Sequence, residues 1–170
     1  MVSTREQRSR IERQIENILA AQAMMAEIPD GHIAPNLGSW ARMGGGRSYV
    51  DTPSEEQLCE LHCGSAACFG GWVAVTPHFK KQGVRRDEED GSPFMKVQNE
   101  NDTVDHLHGS EVAKALFGEE YMFNAQMSTE GPRSTPERLI IERRLQVALS
   151  RRLAELEVLE VVGFLPGERE

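Results

Sequence analysis

TPERLIIERRLQVALSRRLAELEVLE, residues 135–160, is the stretch whose reading decides the fold. Thr135, Pro136 and Glu137 form a helix start: threonine caps, proline suits the first helical position, and a carboxylate suits the positive N-terminus. Ile141, Leu145, Ala148, Leu149, Leu153, Leu156 and Leu159 then recur at helical spacing. The spacing predicts one long helix over 136–160. About 25 residues at 1.5 Å each give roughly 37 Å, against a radius of gyration near ~15 Å for a domain of this size. Such a helix spans the whole domain. Ile140, Val147, Val158 and Val161 fall off the main stripe and need a cover of their own. They predict a homodimer or larger assembly through 136–160.

Working outward, the stripe needs a facing helix. Ile11, Ile15, Ile18, Leu19 and Met25 supply one over residues 5–27, with Thr4 and Gln7 as a capping box and Pro29–Gly31 as its stop. Residues 29–50 read as a loop insertion. It holds the run Gly44-Gly45-Gly46, which lacks a phosphate-binding pattern, and Trp40, which is expected to fold back onto the core. Thr52-Pro53 opens a second helix to about His62, and Ser65 caps a third over Ala66–Val75. A short helix over Glu111–Phe117 ends at Gly118, and another is expected over Glu119–Met127. Gly83–Arg86 and Phe94–Gln98 give the one β signal, a short hairpin. The tail 163–170 reads as irregular. The predicted fold class is mainly α: a small helical domain, 1–170, with a long C-terminal helix and one short β-hairpin.

Composition narrows the function classes. The 170 residues are 39% hydrophobic and 27% charged, close to a globular average. A formal net charge of -8 argues against direct nucleic-acid binding, which needs clustered cations, and against an anionic membrane surface. Residues 1–17 are highly charged and no apolar run approaches ~20 residues, so neither a secretory signal nor a membrane span is expected. Three cysteines within ten residues make a poor disulfide framework. A reducing cytoplasm is the expected compartment.

Chemistry-bearing side chains concentrate in CELHCGSAACFGGW, residues 59–72. One reading is a nucleophile. Cys63 precedes a predicted helix, whose N-terminus lowers a thiol pKa. His106 or His108, flanked by Asp102 and Asp105, would then act as base. A second reading is a zinc site. Cys59, His62 and Cys63 stand at i, i+3 and i+4 on one helix face, with Cys68 nearby and His106 or His108 available to complete the set. The third, preferred, reading is structural and needs no cofactor: Ala66, Ala67, Cys68, Gly70, Gly71 and Ala74 make a small-sided helix that another element can approach closely. His32 and His78 read as loop histidines without spaced partners.

Two resemblances attach to these residues. Cys63-Gly64-Ser65 before a helix loosely resembles the nucleophile turn of papain-like and bacteriocin-leader-type cysteine peptidases. Cys63-Gly64-Ser65-Ala66-Ala67-Cys68-Phe69-Gly70-Gly71-Trp72 resembles the C-G-[ST]-x-x-C-x-x-G-[WH] core of a family of small proteins frequent in tailed bacteriophages and some actinobacteria. Ile11–Ile28, Trp40 and Val112–Phe123 match that family's flanking elements, so the resemblance covers about half the chain. It implies phage origin and a compact helical core. It implies no activity, and the histidines lie outside its pattern. The expected function is therefore a phage-type accessory or host-interaction protein that binds a protein partner. The alternative is a cysteine hydrolase built on Cys63 and His106 or His108.

Overall fold

The structure, a computed structural model, describes residues 3–29, 32–33, 41–43, 56, 65–87, 92–98, 103–123 and 137–163. Its frame is an antiparallel pair of long helices, α1 (Thr4–Glu27) and α5 (Glu137–Gly163). Between them in sequence come β1 (Ala41–Met43), β2 (Ser65–Ala67), α2 (Phe69–Val75) and α3 (Pro77–Lys80). Then follow β3 (Val84–Arg86), β4 (Pro93–Gln98), β5 (Val104–His108), α4 (Ser110–Phe117) and a 3-10 turn over Glu120–Phe123. The fold is mainly α, as its periodicity predicts.

Helix α1 starts one residue before the predicted position, and its capping box is Ser3 with Glu6. The Ser3 hydroxyl accepts from the Glu6 amide at 3.2 Å, and the Glu6 carboxylate accepts from the Ser3 amide at 2.8 Å. The next pair along, Thr4 and Gln7, has the same spacing but no carboxylate to meet the helix N-terminus. At the far end, Arg138 of α5 donates to the main-chain oxygens of Met25 and Ile28. A cation thus satisfies carbonyls that the end of α1 leaves without intrahelical donors. Arg8 of α1 pairs with Glu160 of α5 at 3.1 Å. The two contacts tie the helices at both ends and fix their antiparallel sense.

Ile11, Ile18, Ala21 and Met25 of α1 are buried with Ile141, Leu145 and Ala148 of α5. Leu19 and Leu153, both placed on the stripes by sequence, face outward at 49% and 50% exposure. The helix turns ~100° per residue, so each step of four drifts about 40°. The run 141-145-149-153 therefore winds off the buried face. Arg152 takes the inward position instead, its side chain 14% exposed.

The remaining core is aromatic. Phe117 of α4 meets Phe69, Phe79 and Phe123 with ring centroids 5.8, 5.8 and 6.0 Å apart. Such tilted and edge-on pairs add to the burial of large rings. All seven residues of α2 are buried, Gly70 and Gly71 among them. That helix begins three residues later than expected. Ser65–Ala67 form a strand paired antiparallel with Ala41–Met43, and Cys68 is extended as the N-cap.

Strands β3, β4 and β5 form an antiparallel sheet in that order. The β3–β4 hairpin matches the sequence reading, with Val84 opposite Met95. The third strand, β5, is an addition to it, with Lys96 opposite His106 and Phe94 opposite His108. Val84 and Met95 are buried and Leu107 packs against the same cluster, so this face of the sheet covers the core. Of the predicted helix 52–62 only Glu56 is described, and it is helical and exposed; of the tail 163–170 only Gly163 is described, as the last residue of α5. Trp40, the Gly44–Gly46 run and the helix start at Thr135-Pro136 lie outside the described residues.

Candidate functional site

Of the candidates named from sequence, the described residues include Cys68, His106 and His108. Cys59, His62 and Cys63 lie outside the described residues. Cys68 is buried at the start of α2, where its carbonyl accepts from the Trp72 amide at 3.1 Å. His106 and His108 are exposed on β5. Strand side chains alternate, so with Leu107 turned to the core the two imidazoles stand on the opposite face. His108 stacks on Phe94, centroids 6.0 Å apart. Cys68 is thus buried, whereas the two histidines are exposed. Among the described residues no group of three or more His, Cys, Asp or Glu could hold a metal ion.

A polar node that sequence reasoning missed sits under α1. Asn17, 1% exposed, donates through Nδ2 to the Leu116 carbonyl at 3.0 Å and to Gln82 Oε1 at 3.2 Å. Its Oδ1 accepts from Gln82 Nε2 at 2.6 Å and lies 2.9 Å from His78 Nε2. His78 is therefore a helical residue of α3 with a partner, not a loop histidine. Every hydrogen-bonding group of the Asn17 side chain is met, so the node fixes the register of α1, α3 and α4. Gln14 and Asn17 at i and i+3 on an otherwise apolar face are the sequence signal that marked it.

A shallow cleft of about 550 Å³ opens between α1, α4 and α5, with Arg10, Gln14, Lys114, Gly118, Glu120 and Arg152 on its walls. Its charges are largely committed to one another. Lys114 pairs with Glu120 at 2.7 Å, and Arg152 with Glu119 at 3.1 Å and Glu155 at 2.7 Å. The bond to Glu120 raises the Lys114 pKa.

The outer face of α5 is different in kind. Leu139, Val147, Leu153, Val158 and Val161 are all exposed, Val158 at 60% and Val161 at 62%. At ~100° per residue these five fall within one sector about 140° wide, opposite Ile141, Leu145 and Ala148. Between them lie Gln146, Ser150 and Ala154, also exposed. The sector carries two charges, Arg143 and Glu157, and neither makes an ion pair or hydrogen bond with another described residue. Charges on its flanks are all engaged: Glu142 with Arg138 at 3.6 Å, Arg151 with Glu119 at 3.1 Å, and Glu160 with Arg8. Helix α5 thus has two apolar faces, and the body of the protein covers one.

Comparison with protein-family models, curated proteins and solved structures gives no match. No helix among the described residues is long and apolar enough to cross a membrane.

Proposed function

We propose that the protein works by binding a macromolecular partner, a protein, through the outer face of α5, as a small accessory protein of phage type. The observation that supports this is the apolar row Leu139, Val147, Leu153, Val158 and Val161, exposed on a helix whose other face is fully used by its own core. Scattered exposed apolar side chains are ordinary, but five gathered on one face of a helix mark a contact surface. The small side chains of Ser150 and Ala154 at its middle let another helix approach closely. The resemblance of residues 63–72 to short phage proteins supports the accessory role. The formal net charge of -8 weighs against nucleic acid as the partner.

Site-specific photo-crosslinking tests the proposal. A photoreactive side chain at Val147 should give a discrete adduct of one defined mass in producing cells, and Val158→Glu should abolish it. The same group at Arg10, on the α1 side, should give none. If no discrete adduct forms at Val147, the outer face of α5 is a solvated surface and the proposal fails.

A further inference from the structure

We infer that the occupant of this face is a second copy of the same chain, packed antiparallel about a two-fold axis beside Ser150. The inference rests on reading the outer face of α5 as a contact surface. A two-fold interface uses one patch twice, so the patch must complement itself under reversal. The α5 sector does. Arg143 precedes Ser150 by seven residues and Glu157 follows it by seven. Seven residues return to the same helix face within about 20°, so all three lie in line. Reversal about Ser150 brings Arg143 of each copy to the level of Glu157 of the other. It sets Leu139 level with Val161 and Val147 level with Leu153, apolar with apolar. A parallel pairing in register would instead set Arg143 against Arg143 and Glu157 against Glu157. Like charges across an interface reject that arrangement. The two charges are also the ones within the sector, and no described residue pairs with either. The flanking charges are already held by Arg138, Glu119 and Arg8 of the same chain. A pair of opposite charges that no described residue engages, placed symmetrically about a small residue, is what an antiparallel self-pair needs to fix its register.

The test is charge reversal in the full-length chain, read by sedimentation equilibrium between about 1 and 100 µM at low ionic strength, where unscreened charges act most strongly. The wild type should approach the mass of two chains. Arg143→Glu and Glu157→Arg should each weaken self-association by about tenfold or more, since each meets a like charge. The double variant should recover the wild-type association, and an equimolar mixture of the two single variants should form a mixed dimer. Both residues are exposed and neither pairs with a described residue, and unchanged circular dichroism should show that each variant stays folded. Single variants that associate like the wild type, or a double variant that stays monomeric, would overturn the antiparallel register. A monomeric wild type throughout the range would overturn the second-copy inference. In that case a Val147 adduct with one identified different protein still supports the contact surface, whereas no adduct of any mass removes both.

Discussion

The guanidinium of Arg152 lies across the α-carbon of Gly118. Gly118 ends α4 in the left-handed conformation, with φ of 80°. A β-carbon built there would stand 2.8 Å from Arg152 Cζ and 3.0 Å from Gln14 Oε1. The close approach lets Arg152 reach Glu119, whose Oε1 also accepts from Arg151 at 3.1 Å. One carboxylate thereby joins the end of α4 to two successive arginines of α5.

Gly118→Ala should therefore cost more than backbone strain alone. The left-handed conformation adds about 1 kcal/mol for a residue with a side chain, and Arg152 must shift from an arrangement held by Glu119 and Glu155. A total loss of roughly 1–3 kcal/mol is expected in urea unfolding. Gly83 is the control. Its φ is 90°, yet a β-carbon there meets nothing within 4 Å, so Gly83→Ala should show the strain term without the clash.

Asn17→Ala should destabilise through unmet partners. The change leaves the Leu116 carbonyl and one Gln82 group without their bonds inside the protein. Leaving buried polar groups unsatisfied costs about 1–3 kcal/mol. Asn17→Ala combined with Gln82→Leu should be milder than the sum of the singles, because the second change removes an orphaned group. Additive losses in a double-mutant cycle would show that the two side chains act independently.

The start of α1 carries a pH dependence of known sign. Hydrogen bonds from the Ser3 backbone amide, then from the Ser3 hydroxyl, hold the Glu6 carboxyl below its ordinary pKa. A pKa lowered by folding means that the cap stabilises α1 above the unfolded glutamate value. The stabilisation is lost as pH falls through the lower, folded value. An NMR titration should place the Glu6 midpoint below the ordinary glutamate value. In Ser3→Ala the midpoint should move up toward that value, because the hydroxyl donor is lost. No movement would mean that the Ser3 hydroxyl has no part in the cap.

The two long helices were legible in sequence because their periodic apolar positions run for about four turns in α1 and about five in α5. Their buried polar residues were not. Asn17 finds Gln82 at a separation of 65 residues, and Arg144 donates to the Tyr121 carbonyl, 23 residues before it. No local pattern reports such partners. Strand β5 was hidden because Val104-Asp105-His106-Leu107-His108 offers one inward apolar residue, too few for an alternation signal. Ala66 and Ala67 read as the start of a helix capped by Ser65, and pairing of Ser65–Ala67 with β1 overrides that propensity. Of the candidate site, Ile140, Val147, Val158 and Val161 were visible as an uncovered set; Ile140 is half-buried, and the three valines are exposed. Leu139 and Leu153 join them only once the helix is placed. The isolation of Arg143 and Glu157 also needs tertiary structure, because the pairing of the flanking Arg151 with Glu119 spans 32 residues.

The central claim is that the outer face of α5 serves contact with another molecule while the inner face serves the fold. Val158→Glu, followed at once by thermal unfolding at low micromolar concentration and by light scattering at high concentration, tests it most directly. An exposed substitution away from the core changes stability by no more than about 0.5 kcal/mol, so the dilute chain should unfold at the wild-type temperature. At high concentration the wild type should scatter as two chains and the variant as one. A variant that unfolds many degrees earlier when dilute, or that assembles as the wild type does, would contradict the account.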